Sequence, residues 1–125
     1  MICNYLKDIY SIRDLNQLEG SVEYKVLINP SHEVYKLHFP DHPVTPGACI
    51  LEILKDLSEK FLKKNLRVET IKNIKYLDAI IPNDDLLLSI NLKIKKQDQE
   101  KVHVLSSIAE GSKVLVKSSL IYTII

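Results

Sequence analysis

An imidazole and a carboxyl group, His38 and Glu52, stand fourteen residues apart, and between them runs Phe39-Pro40-Asp41-His42-Pro43-Val44-Thr45-Pro46-Gly47. A histidine in a stiff loop followed by an acid on the next helix is equipment for moving protons on a small substrate, one group removing a proton and the other delivering one. Three prolines and a glycine within eight residues continue neither a helix nor a paired strand, so the backbone here is an irregular, braced turn. Thr45 is expected as the N-cap of the following helix and Pro46 as its first residue, where a missing N–H costs nothing. The Gly47 amide is then an unpaired donor at the positive helix end. With no side chain in the way, a substrate carbonyl could approach it, and negative charge developing on that oxygen would be stabilised. His38, Glu52 and Gly47 are therefore the candidate catalytic residues. Phe39, Val44, Pro46, Ala48 and Cys49 flank them as candidate substrate-binding residues.

Several neighbours have a plainer reading. His32, His42 and His103 are expected as surface histidines. A metal site at His38 and His42 would need a helical spacing that Pro40 and Pro43 forbid, and no metal is expected. Cys49 lies in the first helical turn, where thiol pKa values tend to fall, yet a free cysteine is most often a small buried apolar residue; it is read as pocket lining at most. Glu52 sits between Leu51 and Ile53 on a broadly apolar helix, where an unpaired carboxylate is expensive. Asp56, one turn on, would favour proton uptake at Glu52 if neither Lys55 nor Lys60 neutralised it. Lys60, Lys63, Lys64 and Arg67 cluster at the helix end, either as favourable charge there or as a patch for an acidic partner.

The elements that hold these residues follow from periodicity. Val22, Tyr24, Val26 and Ile28 alternate with polar residues over Ser21 to Asn29, the pattern of a half-buried strand, and Ile9 to Gln17 is its expected hairpin partner through Glu19-Gly20. Ala48 to Lys64 is the one long helical pattern, with an apolar face broader than a surface helix needs, so it is expected to be wrapped. Arg67 to Tyr76, Leu86 to Lys96, Lys101 to Ala109 and Lys113 to Ile124 are rich in Ile, Val and Leu and separated by turn residues. One helix against a curved antiparallel sheet is an α+β domain.

At 125 residues the chain makes one domain, residues 1–125, without repeats or internal linkers. Hydrophobic content of 46% with 26% charged residues is that of a soluble globular protein, and a net charge of +1 gives no reason to expect a nucleic-acid partner. The start lacks the order of a signal peptide, no apolar run reaches a membrane span, and two scattered cysteines fit a reducing compartment, so the cytoplasm is the expected location.

The spacing His38-Phe39-Pro40, Pro43, Pro46-Gly47, Glu52 resembles that of the hot-dog-fold 3-hydroxyacyl-[acyl-carrier-protein] dehydratases of the beta-hydroxydecanoyl and FabZ type, with every interval kept. Tyr76-Leu77-Asp78-Ala79-Ile80-Ile81-Pro82-Asn83-Asp84 is similar to that family's strand-to-strand turn, which normally ends Pro-Gly-Asp. The resemblance runs from about residue 20 to the C-terminus. The chain departs from it at Leu37, where the family has Gly, at Asp56, where it has Gln, and in the short stretch from Met1 to Leu18, where a Pro-His-Arg-Tyr-Pro-Phe segment is typical. The resemblance implies a hot-dog fold, dehydration of 3-hydroxyacyl thioesters to trans-2-enoyl thioesters in fatty-acid or related biosynthesis, and no cofactor. It also implies an acyl-carrier protein as partner and a homodimer, or multiple of dimers, whose sites combine the histidine of one subunit with the acid of the other. Hot-dog thioesterase activity, or a non-catalytic carrier-binding subunit, are the alternatives that fold alone leaves open.

Overall fold

The computed structural model of the protein describes residues 8–37 and 41–125. Tyr10–Leu18 (β1) and Ser21–Ile28 (β2) form the expected hairpin. Its turn passes through Gly20 at φ 74°, a left-handed conformation that a residue without a Cβ adopts freely. Leu66–Tyr76 (β3), Leu87–Gln97 (β4), Lys101–Glu110 (β5) and Lys113–Ile124 (β6) complete one antiparallel sheet in the order β1-β2-β4-β5-β6-β3, leaving β1 and β3 as its edges. A single helical turn, Val34–Leu37 (α1), precedes the long helix Gly47–Leu62 (α2).

The sheet closes on α2 because both carry a continuous apolar face. The helix buries Ile50, Ile53, Leu54 and Leu57, at the three- and four-residue spacing of one helical side. Every second residue of the strands meets them: Val22, Tyr24 and Val26 on β2, Leu88, Ile90 and Leu92 on β4, Val102 and Val104 on β5, Leu120 and Tyr122 on β6. Each fully buried Leu or Ile contributes about 1.5–3 kcal/mol relative to exposure, so this shared face dominates the stability of the domain. The α+β hot-dog arrangement is thus the one observed. Among the described residues no helix is long and apolar enough to cross a membrane.

Local expectations need correcting in three places. Thr45 is not the N-cap and Pro46 is not the first helical residue: Pro46 caps at φ −61° and ψ 147° with no side-chain bond, and the helix opens at Gly47. Thr45 is drawn off by a stronger need elsewhere. The Ile80 carbonyl accepts from both the Thr45 N–H (2.9 Å) and its Oγ1 (3.0 Å), which also bonds the Tyr35 hydroxyl (2.8 Å). At its other end the helix stops at Leu62, short of Lys64, because Lys63 turns left-handed (φ 56°) and bonds back to the Glu59 carbonyl. His32 is buried instead of lying on the surface, its Nδ1 accepting the Val34 N–H at 3.0 Å and so starting α1.

Candidate active site

The two hydrogen bonds from Thr45 to the Ile80 carbonyl fix where α2 begins, and with it the position of Gly47. Beside this point a cleft of about 340 Å³ is lined by Val44, Thr45, Gly47, Ile50, Tyr76 and Ile80, with Asp78 and Ala79 at its rim. One side of Gly47 is already filled: a Cβ built there would lie 2.8 Å from the Tyr76 hydroxyl oxygen and 3.1 Å from its ring. The Tyr76 hydroxyl donates to the Gly47 carbonyl at 3.3 Å. The absent side chain therefore admits Tyr76, the last residue of β3, while the Gly47 N–H belongs to the first helical turn. At the first helical position that N–H has no carbonyl four residues back.

A measurable cost follows. Gly47→Ala is expected to push the half-exposed Tyr76 ring aside and break its bond to the Gly47 carbonyl, at a cost of about 0.5–1.5 kcal/mol in denaturant unfolding. In a Tyr76→Ala background the same change should be close to neutral. An equal cost in both backgrounds would show that Tyr76 is not what keeps this position free of a side chain.

Glu52 lies just over one turn into α2, its side chain 20% exposed, with the Lys55 ammonium 3.6 Å away. Lys55 also reaches Glu59 at 3.3 Å, and the other Glu59 oxygen accepts the Leu66 N–H at 2.8 Å, which ties this charged row to the start of β3. Lys55 thus stands between two carboxylates of α2, Glu52 and Glu59. Asp56 does not act on Glu52 as an unneutralised like charge, because it pairs with Lys60 at 3.2 Å and accepts a hydrogen bond from Tyr10. Burial, and then that bond, raise the Tyr10 phenol well above its ordinary pKa. Asp56 thereby straps the edge strand β1 to the helix.

The Cys49 thiol is pushed up, not down, because burial outweighs its place in the first turn and Glu52 adds a like charge. Of the residues singled out above, Val44 and Gly47 line the cleft, Pro46 is partly buried as the cap, Ala48 is exposed and Cys49 is buried. His38 and Phe39 lie outside the described residues. Tyr76, Thr45 and Tyr35 shape the site without having been expected there. Thr45 carried a signal as the expected helix cap and Tyr76 as the first residue of the strand-to-strand turn noted above, whereas Tyr35 carried none.

A family model described as ApeI dehydratase, of the ApeI-like type, matches residues 14–116. The 3-hydroxyacyl-[acyl-carrier-protein] dehydratase FabZ of Clostridium botulinum strain Okra is 34% identical over 93 residues, covering 67% of this chain and 63% of that protein. The same-named protein of Wolbachia strain wRi is 30% identical over 80 residues, covering 58% and 56%. The chain thus spans 56% to 63% of the length of these curated relatives. Among solved structures, the dehydratase heterocomplex ApeI:P from Xenorhabdus doucetiae superposes with a TM-score of 0.77 at 11% identity, over 90% of this chain and 96% of that one. A hypothetical thioesterase with coenzyme A from Streptococcus pneumoniae TIGR4 superposes at 0.66 with 16% identity, over 92% and 87%. At such identities these two structures share the fold with this chain.

Proposed function

Because the chain belongs to the ApeI-like dehydratase family, we propose that it removes water from 3-hydroxyacyl thioesters carried on an acyl-carrier protein, giving trans-2-enoyl thioesters. The thioester oxygen accepts the Gly47 N–H, which makes the C2 proton more acidic by stabilising enolate character. His38 takes that proton, the electron pair of the C2–H bond becomes the C2–C3 double bond, and the C3–O bond breaks as Glu52 protonates the leaving hydroxyl. The products are enoyl thioester and water, and no redox partner or cofactor is needed. The observation that carries this reading is the helix start: an amide donor at Gly47 lies on an apolar cleft, and the carboxyl-bearing Glu52 follows roughly 7.5 Å further along the same rigid axis, outside the lining of that cleft.

A site that combines His38 of one subunit with Glu52 of another requires a dimer. Supporting this is the uncovered apolar surface of edge strand β3 and its following loop, where Ile71, Tyr76, Leu77 and Ile81 are exposed. The partner subunit in this reading is a second copy of the chain.

The test is turnover of 3-hydroxyacyl thioesters of graded chain length, on a carrier protein and on coenzyme A, followed by the absorbance of the conjugated enoyl product. Enoyl formation is expected. Release of free acid with no enoyl product would replace dehydration by thioester hydrolysis, and no turnover of any substrate would reduce the chain to a non-catalytic subunit.

A further inference from the structure

Resting on the dehydratase reading, we infer that the outer side of the sheet, along β3 to β6, is the surface on which the acidic carrier protein docks. The charges of this chain are unevenly spread. Strands β3 to β6 hold nine of its 17 Lys and Arg but only two of its 16 Asp and Glu. The pairing register gathers many of them on the side away from α2: Lys117 of β6 stands opposite Lys75 of β3 and Ser107 of β5, and one row along, Lys93 of β4 stands opposite Leu105. Between these rows lies a depression of about 310 Å³ lined by Asn91, Lys93, Leu105, Ser107 and Lys117, together with Ser106 and Ser118.

Counter-charge is scarce on these four strands, and the row Lys75, Lys117, Ser107, Asn91 meets a carboxylate, Glu23, only on the neighbouring β2. Glu69 is taken up by Lys101 at 3.0 Å, and among the described residues no ion pair joins Lys75, Lys93 or Lys117 to a carboxylate. Partial burial, and then the nearby Lys95 and Lys72, hold the His103 imidazole below its ordinary pKa, so cations converge there as well. Lysines set among serine, asparagine and leucine suit carboxylates presented by a folded acidic protein. Nucleic acid would be expected to find arginine forks and stacked aromatic rings, and these rows supply neither.

Position separates this surface from the lysines at the end of α2. Lys75 immediately precedes Tyr76, whose hydroxyl rests on Gly47, and the Lys113–Asp78 ion pair sits at the rim of the cleft. A prosthetic arm crossing that strand end arrives directly at the candidate site. Lys63 and Lys64 lie at the opposite end of a sixteen-residue helix, about 24 Å along its axis from Gly47, and Lys60 is already bound to Asp56.

The test measures association of apo acyl-carrier protein from the same organism with the full chain by fluorescence anisotropy across a salt series. Lys93→Glu with Lys117→Glu should weaken binding at least tenfold and flatten its salt dependence, while Lys63→Glu with Lys64→Glu changes it less than twofold. Turnover of an N-acetylcysteamine thioester by the first variant should equal that of the parent, with KM raised only for the carrier-linked substrate. No binding by the parent chain, binding unaffected by the Lys93 and Lys117 changes, or loss confined to the Lys63 and Lys64 variant would each overturn the assignment. Because binding is read without turnover, a chain that docks the carrier yet dehydrates nothing would sink the catalytic reading and leave this one standing.

Discussion

His38→Ala is expected to lower turnover of a 3-hydroxyacyl thioester by about 10²–10⁴, the loss typical of a missing acid–base group, while the unfolding transition stays where it is. The two halves of that expectation have separate grounds. The chemical half rests on the unbroken spacing from His38 through Pro46-Gly47 to Glu52, and on the rigid helix that carries the last two. The stability half rests on polar loop residues seldom carrying core energy, and on a described core drawn mostly from α2 and alternate strand positions. Kinetics of the purified variant beside its thermal unfolding curve decide both. A variant that turns over at the parental rate would remove His38 from the mechanism, and one that fails to fold would show that the loop carries more of the structure than its polarity implies.

The sheet could be read from the chain because its signals are local. Alternation over Val22 to Ile28 and the Ile, Val and Leu runs of the later strands fix strand type within a few residues, and Gly20 fixes the hairpin. Helix position was recoverable to within two residues for the same reason. What local signals missed lies at long sequence separation. Thr45 has the chemistry of a cap, but a carbonyl thirty-five residues away competes for it and wins. The pairing of Asp56 with Lys60 is local and legible, but the Tyr10 hydroxyl that also closes on Asp56 comes from forty-six residues earlier. Tyr76 looks like an ordinary strand end, and only the fold brings it against Gly47, where it explains the missing side chain. The candidate acid and amide donor were therefore visible from motif spacing, whereas the groups that shape the space around them were not.

Complementation between subunits should give the second large effect. Homodimers of His38→Ala and of Glu52→Gln are each expected to be nearly inactive. The second substitution keeps the shape and hydrogen bonding of the carboxyl while removing its titrating proton. If each site takes its histidine from one chain and its acid from the other, a mixed dimer has one site with both lesions and one with neither. Random exchange makes roughly half of the dimers mixed, so up to about a quarter of parental activity should return when the two inactive proteins are incubated together, as two-fold symmetry of a shared interface requires. Ile71 and Tyr76, exposed on edge strand β3, offer apolar surface for such an interface, and sedimentation should show a dimer or a multiple of it in every preparation. Mass spectrometry of the mixture establishes exchange independently of activity. Exchange with no recovery would place the histidine and the acid of each site within one chain, or take Glu52 out of the acid role. A stable, active monomer would dispense with the shared site altogether.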